Sequence, residues 1–267
     1  MCYSALVKRD LDDLHRRYGA IVIREQVEDY LQASAAAPKL YPPLADRIYP
    51  GHYAPVISPR AGERVIGIQR YGAHPPLHIA NPSRYTTFNA RLENLSSPFW
   101  SQAFGHHHGM VVFRAFYEWV EVKTLLQAGV VSIDQVRATF TQQMDGRRKH
   151  VEAAGKVWKP TPTEVKDPRL RKIIIEFRPL DGADLLIPVI FSLRQLEGGR
   201  VDAGFAVVTY EPPPEISEAG HDRCPVVLDA ADMEAWMNPQ GKTAAAMAQL
   251  LKSHRRVVFR HALPKAA

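Results

Sequence analysis

Cysteine is scarce in this chain of 267 residues. There are two, Cys2 and Cys224, too few for a disulfide framework and in keeping with a reducing compartment. Long apolar runs are missing as well. No stretch approaches the roughly 18 residues a membrane span needs, and the first residues lack a charged-then-apolar leader. A cytoplasmic protein without a membrane partner is expected. No CxxC, HExxH, P-loop or GxGxxG pattern occurs. His106-His107-His108 is an imidazole run, but three consecutive rings do not face one metal from a regular element, and no second cluster stands at zinc spacing. Neither a metal nor a cofactor is expected. Acid is in deficit, with 34 Lys and Arg against 28 Asp and Glu, a net charge of +6. That surplus suits a polyanionic partner without requiring one.

What is present is an ordinary globular composition, 46% hydrophobic and 23% charged. The excess of charge is local. Between Arg147 and Lys172 stand nine Lys or Arg and three acids, the same surplus as the whole chain. Trp158 lies inside this stretch. Such a segment can touch phosphates and stack on a base, and a solvated insert reads the same way.

Hydrophobic spacing predicts a helix over residues 24–31, where Val27, Tyr30 and Leu31 share a face. A Pro-rich irregular stretch follows, from Pro38 to Pro55, and a second from Gly72 to Arg84. Strands are predicted over 65–69, 110–116, 173–177, 185–193, 204–209 and 256–259. Ser132 and Gln135 form a capping-box pattern that opens a helical insert ending near Gly155. Asp229 can cap a short helix through Trp236, and a further helix fits residues 242–251. Strands and helices mix without a βαβ rhythm, which indicates an α+β fold rather than a doubly wound sheet.

Five polar clusters can carry chemistry. Cys2, freed of Met1, would present an α-amine (ordinary pKa about 7.7–8.0) beside a thiol (about 8.5). A 1,2-aminothiol traps aldehydes, and the same residue can act as an N-terminal nucleophile on an amide. On position alone, a small residue at a loose terminus is the plainer reading. Asn89-Ala90-Arg91-Leu92-Glu93 offers an amide for paired hydrogen bonds and a guanidinium for phosphate, or simply a turn with a surface ion pair. Phe116-Tyr117-Glu118-Trp119 sets a carboxylate among aromatics at a strand end. Partial desolvation there would raise its pKa and suit it to proton transfer, although an edge-strand Glu facing water is the simpler account. His221-Asp222-Arg223-Cys224-Pro225 places an imidazole at the end of the loop stiffened by Pro212–Pro214. The fifth cluster is the His run. Cys224 itself reads as a small buried hydrophobe.

Met1-Cys2, Asn89-Ala90-Arg91-Leu92-Glu93, Ala115-Phe116-Tyr117-Glu118-Trp119 and His221-Asp222-Arg223-Cys224-Pro225-Val226-Val227-Leu228, in this order, resemble the motifs of the SOS response-associated peptidase (SRAP) family. The resemblance spans residues 1 to about 237 and is interrupted by an insert at about 120–172. It implies one domain over 1–267, with a barrel-like mixed sheet and peripheral helices. It also implies a monomer that binds single-stranded DNA and captures abasic sites through a Cys2 thiazolidine, after removing its own Met1. Carried over by motif, Asn89 would hold Cys2 and the sugar, Glu118 would move protons, and His221 would assist ring opening and reversal. Arg91 and Arg223 would contact phosphate. Tyr71 falls where the family has a Trp-Gly-Leu and would likewise meet DNA. The chain departs from the family at Tyr3-Ser4, where an Arg is usual, at His52-Tyr53, where an Asn is usual, and within Phe259–Pro264. An N-terminal-nucleophile amidohydrolase or peptidase, and a non-catalytic single-strand-binding module, remain as alternatives.

Overall fold

Five strands close on one another in a ring: β4 (Tyr53–Arg60), β5 (Glu63–Tyr71), β10 (Val201–Tyr210), β9 (Leu185–Gln195) and β7 (His108–Glu121), with β7 returning to β4. The computed structural model describes residues 3–79, 87–195 and 201–264. Cys2 therefore lies outside the described residues, as do positions 80–84 of the second Pro-rich stretch.

Alternation along the strands splits the apolar residues into two cores. Val56, Tyr71, Val111, Phe113, Ile187, Val189, Phe205 and Val207 fill the inside of the ring. Ile66, Met110, Val112, Ile190, Ala206 and Val208 point outward and are covered by helices. The cover is α1 (Leu11–Tyr18), α6 (Ala230–Met237) and α7 (Ala244–Lys252), which supply Leu14, Met233, Trp236, Met247 and Leu251. Trp236 is fully buried, and its indole N–H donates to Gly109 O at 3.0 Å. Truncating it to Ala would cost roughly 3–5 kcal/mol.

Beyond the ring, β7 runs on between β1 (Ser4–Val7) and β8 (Lys172–Pro179). β1 pairs further with β3 (Arg47–Ile48), and β8 with β12 (Phe259–Ala262). This gives a mixed α+β architecture around a five-stranded barrel. Short strands β2 (Ile21–Val22), β6 (Asn89–Arg91) and β11 (Cys224–Pro225) complete the sheet.

Several boundaries differ from expectation. The helix begun at residue 24 runs to Ala36 as α2 (Arg24–Ala36). Pro55, expected in the irregular stretch, lies inside β4, as does Pro59. The β4–β7 seam pairs only at Ile57 and Met110, so little ladder is lost to their missing N–H groups. The last strand begins at Phe259 rather than Arg256, because it pairs with β8 in the register Phe259 to Pro179.

The segment expected as an insert holds α3 (Val122–Gln127), α4 (Ile133–Ala153) and an irregular return. Ser132 caps α4 reciprocally with Gln135, and Val136 and Phe140 are its buried face. The arginines of the insert are largely engaged within it. Arg147 meets Glu164 at 3.0 Å, Arg148 meets Asp145 at 3.2 Å, and Arg171 lies 3.4 Å over the Phe140 ring. Lys159 and Lys166 remain exposed.

Candidate active site

A bulge decides which way β7 aims its side chains. The β1–β7 register passes from Leu6 opposite Ala115 to Val7 opposite Phe113, leaving Arg114 as the extra residue. Before the bulge Val111 and Phe113 face the interior; after it Phe116 and Val120 do. Glu118 shares their parity and points inward, while Tyr117 and Trp119 turn outward. Glu118 thus lies inside β7, opposite Ile175 of β8 and one residue past the β1 pairing at Tyr117, rather than at a strand end, and is 3% exposed.

Its partner is His221. Nε2 of His221 lies 3.0 Å from Oε2 of Glu118, with both side chains buried. The far side of the imidazole is clasped by its own loop: Nδ1 lies 2.9 Å from Arg223 O and 3.2 Å from Arg223 N. The loop descends from a short helix, α5 (Pro214–Ser217), and Ile216 O accepts the His221 N–H at 3.1 Å. Gly220 makes the approach possible. Its φ is +88°, and a Cβ there would lie 2.7 Å from Thr124 Cγ2 of the insert. Burial raises the pKa of Glu118 above the ordinary 4.5, with the hydrogen bond to His221 pulling the other way. The pair can therefore hold and pass a proton within a site shielded from water.

The start of the described chain is tied to the same strand. The Tyr3 N–H donates to Tyr117 O at 3.2 Å, and Ser4 pairs with Tyr117 in register. The amide nitrogen that joins residue 3 to Cys2 is therefore fixed beside Glu118. Asn89 is 5% exposed on β6, in parallel register with Val207. Tyr71 donates its hydroxyl to Asn89 Oδ1 at 3.5 Å and stacks on Phe205 with ring centroids 5.2 Å apart. Tyr71 is fully buried, so it supports Asn89 and offers no face to a strand. Arg91, next along β6 from Ala90, is half-buried, and no acid among the described residues pairs with it. Arg223 is mostly buried and ion-paired with Glu93 at 2.7 Å, while its Nε and Nη1 lack hydrogen-bond partners among the described residues.

Around this centre lies an aromatic fringe that sequence reasoning only touched. Tyr3 meets Tyr49 and Trp119 edge-on, each at 5.6 Å, and Tyr49 meets His52 at 5.3 Å. Trp119 is 43% exposed. The substitutions at Tyr3 and His52 were visible as departures from the family pattern, but nothing local linked them to one another. The His run is structural at His108. Gly105 N–H donates to its Nε2 at 2.8 Å, Nδ1 lies 2.9 Å from Trp236 O, and the ring stacks 3.6 Å from that indole. Burial lowers its pKa to about 4. Among the described residues no group of three His, Cys, Asp or Glu is arranged to hold a metal, and no helix is long and apolar enough to cross a membrane.

The family model for SOS response associated peptidase (SRAP) matches residues 38–262. The chain belongs to the SRAP family. That places it with proteins associated with the SOS response to DNA damage and with a peptidase label. No curated protein sequence matches the chain. Solved structures share the fold. A protein from Bordetella bronchiseptica is 16% identical with a TM-score of 0.60, covering 99% of this chain and 100% of that one. A protein from Bacteroides thetaiotaomicron is 14% identical with a TM-score of 0.60, covering 94% and 86%. A phage-related protein from Bordetella bronchiseptica is 17% identical with a TM-score of 0.52, covering 85% and 88%.

Proposed function

We propose that this SRAP protein binds single-stranded DNA and covalently captures abasic sites through Cys2. The observation that carries the reading is the buried Glu118–His221 pair beside the strand on which the chain begins. Hydrolysis of the Met1–Cys2 peptide consumes one water and frees the α-amine. The amine adds to the aldehyde of the ring-opened deoxyribose, and the carbinolamine loses water to give an imine. The Cys2 thiolate then adds to the imine carbon, the nitrogen takes a proton, and a thiazolidine closes. Expelling water from a carbinolamine needs an acid. A carboxyl whose pKa burial has raised keeps a larger protonated fraction for that step. His221, hydrogen-bonded to it, relays the proton and assists ring opening and reversal. Asn89, held by Tyr71, orients the amine and sugar. Arg91, half-buried on β6, and Arg223 contact phosphate.

Intact mass spectrometry tests this on protein mixed with an abasic oligonucleotide. The protein should lack Met1 and gain the oligonucleotide mass less one water, and Cys2→Ala should gain nothing. An identical adduct with Cys2→Ala would move the nucleophile to a lysine and overturn the assignment. Ammonia release from glutamine without an adduct would favour the amidohydrolase alternative. DNA binding without any adduct would leave a binding module.

A further inference from the structure

The outer face of the sheet beyond the barrel carries cations that the site just described does not use. Cross-strand register puts Arg47 opposite Leu6, Ser4 opposite Tyr117, Tyr117 opposite Glu176, and Arg178 opposite Arg260. The alternate residues Ile48, Ala5, Val7, Phe116, Phe177 and Phe259 all face the core. The bulge at Arg114 turns that side chain outward, exposed to solvent.

Two clefts open on this face and meet at Arg178. One, of about 420 Å³, is lined by Lys8, Arg17, Arg114, Arg178 and Asp184 together with Gly182 and Ala183. The other joins Arg47, Tyr117, Glu176, Arg178 and Arg260. Part of the charge is compensated. Lys8 pairs with Asp13 at 2.8 Å and Asp184 at 2.7 Å, Arg17 with Asp13 at 3.0 Å, and Arg178 with Glu176 at 2.8 Å. Arg47, Arg114 and Arg260 have no acid in ion-pair range among the described residues. Arg47 instead stacks 3.7 Å over the Tyr117 ring and donates to Ser4 Oγ at 3.1 Å.

The pairing of Arg178 with Arg260 is unfavourable in isolation, because like charges directly opposite on a ladder repel. Glu176 offsets only the Arg178 side. An anion lying between the two guanidiniums would relieve the repulsion. The row of cations starts at Arg47, next to the Tyr3–Tyr49–Trp119 fringe, and spans about 15 Å along β7 from Trp119 to Arg114.

We propose that this outer face is a phosphate track that carries the DNA strand flanking the abasic nucleotide, with Arg47, Arg178, Arg260 and Arg114 as its phosphate contacts. The proposal rests on the reading of the protein as a single-strand binder. Ser4 stands where an Arg is usual in the family, and the track supplies cations from neighbouring strands of the sheet rather than from the basic insert. Guanidiniums suit the task, since a free fork can take two phosphate oxygens at once; Arg114 and Arg260 are exposed, whereas Arg47 and Arg178 have part of their forks engaged with Ser4 and Glu176.

The test uses an undamaged single-stranded oligonucleotide, so that Cys2 chemistry plays no part. Its affinity is measured against salt for wild type, for Arg114→Ala/Arg260→Ala, and for Lys159→Ala/Lys166→Ala in the insert. Removing two phosphate contacts should lower the slope of log K against log salt by about 1.4, at about 0.7 per contact on a single strand. The insert variant, which removes the same charge, should keep the wild-type slope. An unchanged slope for Arg114→Ala/Arg260→Ala, an equal drop in the insert variant, or a wild type that does not bind DNA would overturn the track. Wild type that binds with the expected slope yet forms no adduct with abasic DNA would leave the track standing and sink the capture reading.

Discussion

Two imidazole–carboxylate pairs occur among the described residues, and they differ in what surrounds the carboxylate. His221 and Glu118 meet at 3.0 Å with side chains 8% and 4% exposed. His74 and Asp202 meet at 3.1 Å, but Asp202 is 23% exposed, and the contact leaves His74 Nε2 without an aligned hydrogen bond. The first carboxylate comes from inside a central strand, opposite Ile175 of β8 and next to Tyr117, whose carbonyl takes the Tyr3 N–H. The second comes from β10 beside its first residue, where the strand is half open to water. Similar residues at similar distance thus have different chemical capacity. Water screens the second pair, and burial shifts the proton affinity of the first.

The largest break in this comparison should come from Glu118→Ala. It strands a buried imidazole and should cost about 3–5 kcal/mol in denaturant unfolding, and adduct formation should cease. Glu118→Gln should keep the fold and slow the adduct by about 10²-fold or more. If Glu118→Gln reacts at the wild-type rate, Glu118 has no part in proton transfer. Gly220→Ala should be next, at roughly 1–3 kcal/mol, because a left-handed residue gains a Cβ against Thr124. The adduct should slow with it as His221 shifts. Wild-type adduct kinetics in this variant would mean that His221 need not be so placed.

A pH titration of unfolding sharpens the comparison further. Glu118 has a folded pKa raised above 4.5. Its contribution to stability is therefore full below the unfolded value and is lost as pH rises through the folded one. Relative to Glu118→Gln, wild type should gain stability as pH falls from 7 towards 4.5. A difference that stays flat over that range removes the argument from burial. The smallest effect belongs to the other pair. Asp202→Asn should cost about 1 kcal/mol and leave the adduct rate alone. A variant that no longer forms the adduct would join the two pairs in one site.

Some of this was readable along the chain. Ser132 with Gln135 and Asp229 with its third neighbour announce helix starts, because a cap is a local hydrogen bond between residues three apart. The strands 65–69, 173–177 and 204–209 are found where their apolar pattern falls. The pieces that frame the site were not readable. The first strand, Ser4–Val7, is too short to show a period and exists because β7 and β3 flank it. Glu118 looked like an edge residue because the bulge that turns it inward depends on the register with β1. Tyr71 looked like a strand-facing aromatic, yet its pairing on β5 aims it into the barrel. The nine cations of 147–172 form a run along the chain, whereas Arg47, Arg114, Arg178 and Arg260 stand too far apart in sequence for any local pattern to join them.

By itself the order of amino acids determined which residue types were available: an aminothiol precursor at Cys2, a carboxylate among aromatics, an imidazole before an apolar run, and a surplus of cations. These follow from composition and local spacing. The folded chain alone decided that Glu118 and His221, about a hundred residues apart in sequence, meet in a dry place, and that scattered arginines share one face. The reason is physical. Proton affinity and repulsion between like charges depend on solvent and distance, and both are set by pairing between strands remote along the chain.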